Sequence, residues 1–405
     1  MQMLAALSLS IRAGWPPLQL NTVVGGYSKT DLRFGVVHDS LNFAGGAEKV
    51  CLETIEAIQG FGHAVTLGTI DRTDWSRVDS LLGRIVRPQN EVFLWDFNSS
   101  VLRLYTSQLL PVVASKMHTT CDVMVCTNHD VFPMSVDLGY MHYLPLCAIP
   151  RSDKGKRYSN RWYLYSFLSQ RMQSKMLDRL EVRQLVTNST FSKRMIRKEI
   201  GLDAQVVYPA VDVKKFELTE ETEVRRNQVV SVGRLSPEKN FEEILQVAGK
   251  SPSTKFVIVG SFAGLYSRAY LRKLRRCIAQ KRLTNVSIRT NLPLGEVLKI
   301  LRSSRVFFHA AKEEHFGLVI VEAMAAGLVP LVHRSGGQWE DILAKQDGTY
   351  GYSYADNQEA CERLSMIIGD NEGLAAIQKR NRSWVQTFSP TVFKKGMQDA
   401  LARIT

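Results

Sequence analysis

The sequence predicts an α/β protein built from two doubly wound domains. Three observations carry that expectation. Short apolar runs alternate with helical stretches along most of the chain, the pattern of parallel sheets covered by helices. A polar, charged stretch at 210–227 interrupts the alternation, which then resumes. At 405 residues the chain is long enough for two such domains.

Residues 1–31 show no period and read as an N-terminal extension. The first domain is expected at 32–212. It opens with the apolar run Arg33–His38, a loop holding Gly45 and Gly46, a helix to about Gln59 closed by Gly60 and Gly62, and the strand Ala64–Leu67. Strand, glycine loop, helix, strand is a βαβ unit. The Gly45–Gly46 pair either lets a ligand approach the backbone or serves a plain tight turn. Strands are expected at Val123–Cys126 and Leu138–His142. The polar loop Thr127–Asp130 follows the first of them, where open parallel sheets place their sites. Residues 157–182 read as a long helix in which Trp162, Tyr163, Tyr165, Phe167, Leu168, Met172, Met176 and Leu180 interleave with Arg157, Arg161, Arg171, Lys175 and Arg179. A strand is expected at Gln184–Thr187, a basic helix capped by Asn188 and Ser189 runs through Lys198, and a short strand lies at Val206–Pro209.

The second domain, expected at 213–382, repeats the alternation with strands near Val229–Val232, Phe256–Val259, Val286–Ile288, Val306–Phe308 and Leu328–Val332. Its most informative stretch is 307–341. A buried strand breaks into the charged loop Lys312-Glu313-Glu314-His315, and a helix follows from Leu318 to Ala326. Gly327 suits the left-handed position that ends a helix. The next strand breaks at Ser335-Gly336-Gly337 before a further helix. Two such units in tandem aim two helix N-termini at one edge of a sheet, and helix N-termini attract anions. Residues 383–405 read as a C-terminal helix that packs back on the first domain.

Hydrophobic residues make up 45% of the chain, enough for full cores. The net charge of +13 implies an anionic partner, and residues 151–200 alone hold thirteen Lys and Arg against four Asp and Glu. No recognition motif organises that charge, so nucleic acid is not the expected partner. The six cysteines form no CxxC pair and read as reduced thiols of an intracellular protein. No segment reads as a transmembrane helix, and Met1–Ile11 lacks the pattern of a signal peptide. The expectation is a cytoplasmic protein, soluble or peripheral at the cytoplasmic face of a membrane. The 157–182 helix either lies on an anionic membrane or buries a core face and solvates its charges.

Gly233-Arg234-Leu235-Ser236-Pro237-Glu238-Lys239-Asn240 follows the first strand of the second domain. Here Gly233 permits the turn and Lys239 opens a helix. Arg234 and Lys239 can converge on a diphosphate and stabilise its departure, or form a solvated basic turn. Glu314 and Glu322, with seven residues between them, can face one cleft and accept bonds from sugar hydroxyls, or serve as a surface charge and a helix-cap charge. Glu313 reads as the solvated member of the acidic cluster. His142 ends an apolar strand and is either a satisfied core histidine or a functional one.

Together these motifs, with Asn188-Ser189, Phe191-Ser192 and Tyr208-Pro209-Ala210-Val211-Asp212, resemble the retaining glycosyltransferases of the GT-B fold, family GT4. The likeness covers nearly everything from residue 33. Within the family, Glu314-His315-Phe316-Gly317, Val321–Gly327, His333–Gly337 and Tyr140–Tyr143 are most similar to the dolichol-pathway α-1,2-mannosyltransferases.

The resemblance implies two Rossmann-like domains facing across a cleft. It implies a hexosyltransferase (EC 2.4.1) that moves mannose or glucose from a GDP- or UDP-sugar to a glycan acceptor, lipid-linked in the nearest subgroup. Arg234 and Lys239 would bind the donor diphosphate, Glu314 the transferred sugar and Glu322 the ribose. Backbone amides of Phe316, Gly317, Leu318 and Val319, beside His315, would meet sugar and phosphate. Gly45, Gly46 and Gly233 would let the backbone approach the donor, and His142 would stand near the anomeric carbon. The reaction the resemblance implies would be front-face attack, with the departing phosphate taking the acceptor's proton. No cofactor or metal is expected, and the chain holds no Asp-x-Asp. Two alternatives remain: a sugar-nucleotide epimerase of the same two-domain fold, and a non-catalytic nucleotide-sugar-binding protein.

Overall fold

A computed structural model describes residues 32–43, 45–82, 86–96, 106–131, 133–149, 160–217, 227–262 and 265–405. The 1–31 extension, positions 157–159 of the expected long helix and positions 218–226 of the 210–227 linker lie outside the described residues. The chain forms two compact units. The first takes residues up to Asn188, Met195–Val207 and Phe393–Thr405; the second takes Ser189–Arg194 and Tyr208–Val392.

The first unit is a parallel sheet of β1 (Arg33–Val37), β2 (Ala64–Gly68), β3 (Asn90–Val92), β4 (Val123–Cys126), β5 (Val136–Met141), β6 (Val182–Thr187) and β7 (Gln205–Val206). The strand order is β3-β2-β1-β4-β5-β6-β7, so the winding reverses between β1 and β4. Those two strands pair in register, Phe34 with Val123 and Val37 with Cys126. Helix α1 (Gly46–Gly60) returns the chain from β1 to β2, as the βαβ pattern predicts. Helices α2 (Trp75–Leu82), α3 (Leu110–Met117) and α4 (Asn160–Leu177) follow. Leu110, Val113 and Met117 of α3 pack with Val37, Met124 and Cys126 in one core cluster.

The second unit is also a parallel sheet. Its strands are β8 (Gln228–Arg234), β9 (Lys255–Ser261), β10 (Val286–Thr290), β11 (Val306–His309), β12 (Val329–His333) and β13 (Tyr352–Tyr354), in the order β10-β9-β8-β11-β12-β13. The winding reverses between β8 and β11. Alternate residues of these strands feed two core clusters: Val229, Phe308 and Leu331 belong to one, Val230, Phe307 and Val332 to the other. This explains why the strands read as unbroken apolar runs. Helix α5 (Thr190–Ile200) begins in this unit. Helix α6 (Val213–Phe216) is a single turn, and α7 (Phe241–Lys250), α8 (Leu265–Gln280), α9 (Leu294–Arg302) and α10 (Leu318–Ala325) alternate with the strands. Gly327, at φ +77°, ends α10 as expected.

Several boundaries differ from the sequence reading. The first domain was expected to run to 212, but Tyr208–Asp212 belong to the second unit, where the Val211 N–H donates to the Phe388 carbonyl at 2.8 Å. The C-terminal helix was expected from 383. Instead α11 (Asn357–Gly369) and α12 (Asn371–Trp384) precede a 3-10 turn, Val385–Phe388, and α13 (Pro390–Leu401) starts at a proline that has no N–H to lose. From Phe393 onward α13 belongs to the first unit, where Phe393 meets the Tyr140 ring. The helix expected after Gly337 is a single π turn, Gln338–Ile342. The six cysteines are all free thiols.

Candidate functional site

Open parallel sheets place ligands where the winding reverses, outside the carboxyl ends of the strands. In the second unit that point lies beyond β8 and β11. β8 ends at Arg234, whose side chain is exposed. The chain turns through the buried Leu235 and a 3-10 turn, Pro237–Lys239. The structure corrects two expectations here. Gly233 lies inside β8, and a Cβ there would meet Lys239 and Phe241 at an ordinary 3.6 Å, so the turn does not depend on glycine. The residue that absorbs the turn is Asn240, at φ +52°, whose Nδ2 donates to the Ala310 carbonyl at 3.2 Å. Lys239 therefore ends a 3-10 turn, and α7 starts after it at Phe241.

This turn delivers Lys239 to Glu314. Lys239 Nζ stands 2.5 Å from Glu314 Oε2, and His309 Nε2 stands 3.0 Å from the same oxygen. An ionised carboxylate only accepts, so His309 donates from Nε2. The Lys239 and Glu314 side chains keep about a fifth of their surface, while His309, the last residue of β11, is buried at 4%. Burial pushes the Glu314 carboxyl up, but the Lys239 ammonium and the His309 hydrogen bond outweigh it and hold Glu314 well below the usual carboxylate range. Burial lowers His309, with Glu314 opposing the shift. The sequence reading missed His309 because it continues the buried run Phe307-Phe308 and looks like core.

A second loop holds Glu314 in place. The N–H of the exposed Glu313 donates to Ser335 Oγ at 2.8 Å, and the N–H of Gly337 donates to the Glu314 carbonyl at 2.7 Å. Buried Gln338 donates from Nε2 to the Ala311 carbonyl at 2.7 Å and the His333 carbonyl at 3.0 Å. The fit is close. A Cβ on Gly336, at φ +74°, would lie 2.4 Å from the Glu314 carbonyl oxygen, and one on Gly337 would lie 2.3 Å from that of His315. The Gly336–Gly337 pair thus braces the loop that carries Glu314.

The residues after Glu314 divide between core and surface. Phe316 is buried, with its ring 5.7 Å from Tyr208 and 5.5 Å from Phe388, so its side chain is structural. Gly317, at φ +106°, caps α10; Leu318 and Val319 are its first residues, and Glu322 is half-buried in its second turn. The His315 carbonyl accepts from Ser189 Oγ at 2.6 Å. Nearby, Asp341 receives the N–H of Thr190 at 2.7 Å, that of Phe191 at 3.3 Å and the Tyr208 hydroxyl at 3.1 Å. Burial raises the Asp341 carboxyl against these donors. Asp341 was also not foreseen, since its partners at the start of α5 lie about 150 residues away.

Gly45, Gly46 and His142 belong to the first unit. The Gly45 N–H donates to Glu48 Oε2 at 2.9 Å, so the carboxylate of α1 itself caps this helix start. His142 lies beyond the end of β5. Its N–H donates to Asp130 Oδ1, and its Nε2 donates to the Thr127 carbonyl, both at 3.1 Å. Around the β1–β4 reversal, Asn128 Nδ2 donates to Asp39 Oδ1 at 2.7 Å, and His38 Nδ1 stands 2.9 Å from Thr127 Oγ1. This buried polar cluster was only partly visible as the Thr127–Asp130 loop. Among the described residues, no three His, Cys, Asp or Glu side chains gather as a metal-binding group.

Comparison with known proteins bears on this geometry. Residues 214–384 match the family described as glycosyl transferases group 1. The GDP-Man:Man(3)GlcNAc(2)-PP-Dol alpha-1,2-mannosyltransferases of Dictyostelium discoideum and Homo sapiens are each 29% identical, over 52% and 48% of this chain. The match spans only 45% and 43% of their own lengths. Among solved structures, Anabaena HepE in complex with UDP and glucose superposes with a TM-score of 0.70 at 16% identity, over 92% of this chain and 99% of that one. Sucrose-phosphate synthase from Thermosynechococcus elongatus gives 0.71 at 16% identity, over 92% and 98%. The fold is that of the GT-B glycosyltransferases, two Rossmann-like domains.

Proposed function

We propose, for a chain whose residues 214–384 form a glycosyl transferases group 1 domain, that it moves a hexose from a nucleotide diphosphate sugar to a glycan hydroxyl with retention of configuration. Mannose from GDP-mannose and a lipid-linked glycan acceptor are the favoured substrates, because the names of the relatives specify them.

The observation that carries the reading is the approach of Lys239 Nζ to Glu314 Oε2 at the sheet's reversal point, inside the matched domain. A cation and a carboxylate there suit the two halves of a nucleotide sugar. Arriving donor draws Lys239 and the exposed Arg234 to the diphosphate, where charge-assisted bonds are strong. Glu314, still held by His309, accepts from the sugar hydroxyls. The N-terminal amides of α10, at Leu318 and Val319, face the phosphates, and Glu322 accepts from the ribose. In the reaction the bond from the anomeric carbon to the phosphate oxygen breaks. The acceptor oxygen bonds to that carbon on the same face, and its proton passes to the departing phosphate. Arg234, Lys239 and the helix N-terminus stabilise the charge that develops there, a role others assign to a metal.

The test is transfer of radiolabelled mannose from GDP-mannose to a lipid-linked oligosaccharide. Conversion of donor in the absence of acceptor, without release of nucleoside diphosphate, would instead support a sugar-nucleotide epimerase.

A further inference from the structure

We propose that the outer face of α4 docks on an anionic lipid bilayer. This goes beyond the transferase reading and does not depend on it. The observation is that the polarity of this helix is inverted over 166–173, before Met176 packs against the core of the first unit. Ser166, Ser169 and Gln173 are fully buried or nearly so, and Gln170 is 9% exposed. On the opposite side Phe167 is 45% and Leu168 61% exposed, the two most exposed large hydrophobic side chains among the described residues. At about 100° per residue, 166, 169, 170 and 173 share one stripe, while 167, 168, 171, 174 and 175 share the other. A surface helix in water has the reverse arrangement.

The inner stripe is polar because its groups are paired. Gln173 Nε2 donates to the Val131 carbonyl at 2.6 Å, its Oε1 accepts from the Cys147 N–H at 3.2 Å, and Gln108 Nε2 donates to Ser169 Oγ at 3.2 Å. These bonds fix the rotation of the helix, and that rotation presents Phe167 and Leu168 outward. The charges on the outer stripe identify the partner. The Arg171 guanidinium lies 5.1 Å from the Phe167 ring centroid, and Lys175 is exposed one turn on. Exposed Arg179 follows just beyond the helix, with Asp178 and Glu181 the acidic neighbours there. Two apolar side chains flanked by cations match the boundary of an anionic bilayer, where the rings and methyls enter below the headgroups and the cations meet phosphate. The sequence left this helix either on a membrane or with its apolar side in the core. The buried serines and glutamines favour the first.

The experiment is sedimentation of the full chain with phosphatidylserine–phosphatidylcholine vesicles, and with phosphatidylcholine alone, at low and high salt. The expected result is binding to the anionic vesicles that salt reverses. The variants Phe167→Ser/Leu168→Ser and Arg171→Glu/Lys175→Glu should each weaken it by at least about tenfold. Their thermal unfolding and nucleoside diphosphate binding should match wild type, since the substituted side chains are exposed. The proposal is overturned if wild type stays in the supernatant, if the variants bind as well as wild type, or if the substitutions instead turn a dimer of this chain into a monomer. Failure of the two readings is distinguishable, because vesicle sedimentation involves neither donor nor acceptor, and nucleoside diphosphate binding is followed separately.

Discussion

Gly337 donates its N–H to the carbonyl oxygen of Glu314 across 2.7 Å, so one loop of the second unit is the template for the backbone of another. The neighbouring Gly336 makes the same point sterically, because a side chain there would overlap Glu314. The Gly336→Ala variant is therefore expected to lose about 1–3 kcal/mol of stability from its left-handed backbone and the clash. Transfer activity should fall further than that loss explains, because the displaced loop carries Glu314. Urea unfolding and initial-rate assays at matched folded fraction separate the two effects.

His309 is expected to act on the reaction through Glu314. Once donor engages Lys239, the His309 hydrogen bond remains as an anchor on Oε2. Its loss should cost about ten- to a hundredfold in kcat/KM, the worth of a hydrogen bond to a charged group. The His309→Phe variant should show that drop with nucleoside diphosphate affinity nearly unchanged. The His309→Gln variant, which can still donate, should recover part of it. Equal losses in the two variants would point to a packing role only.

The proposed scheme supplies positive charge from Arg234, Lys239 and the start of α10. Transfer should therefore persist after exhaustive treatment with a chelator. A measured rate that vanishes on chelation and returns with added divalent cation would contradict that part of the scheme.

Two groups contribute to the acid response in the same sense. The folded Glu314 carboxyl is held low, so its pairing with Lys239 is complete above the ordinary carboxylate range and is lost as pH falls through the lowered folded value. His129, fully buried in the loop after β4, is lowered by burial to about 4. The unfolded chain takes up that proton near pH 6.5 and the folded chain does not, so stability declines from about pH 6.5 to about pH 4, by roughly 3 kcal/mol for this residue. Unfolding midpoints measured across this window should flatten in the His129→Phe variant.

The fold was legible wherever burial is two-sided. β4 is buried at all four positions and reads as an unbroken apolar run, as do β11 and most of β12. The three-residue edge strands β3 and β13 were not read, because Asn90-Glu91-Val92 and Tyr352-Ser353-Tyr354 carry too little periodic signal. At the site, Lys239 and Glu314 stood out as charges interrupting apolar segments, and the structure joins them. His309 did not, since a histidine after two phenylalanines resembles core. Asp341 did not, since its meaning lies in backbone amides of a distant segment. Gly233 was over-read: a glycine at a strand end looks like a turn, but the left-handed residue is Asn240.

The central claim is that Lys239 and Glu314 divide one nucleotide sugar between them. Its most direct test is single-turnover transfer from GDP-mannose by wild type, Lys239→Ala and Glu314→Gln, each confirmed folded. A loss of at least about a hundredfold is expected in both variants, the usual scale for removing one preorganised electrostatic contact. Lys239→Ala should also lose affinity for GDP, and Glu314→Gln should keep it. Near-wild-type transfer by either variant would contradict the account.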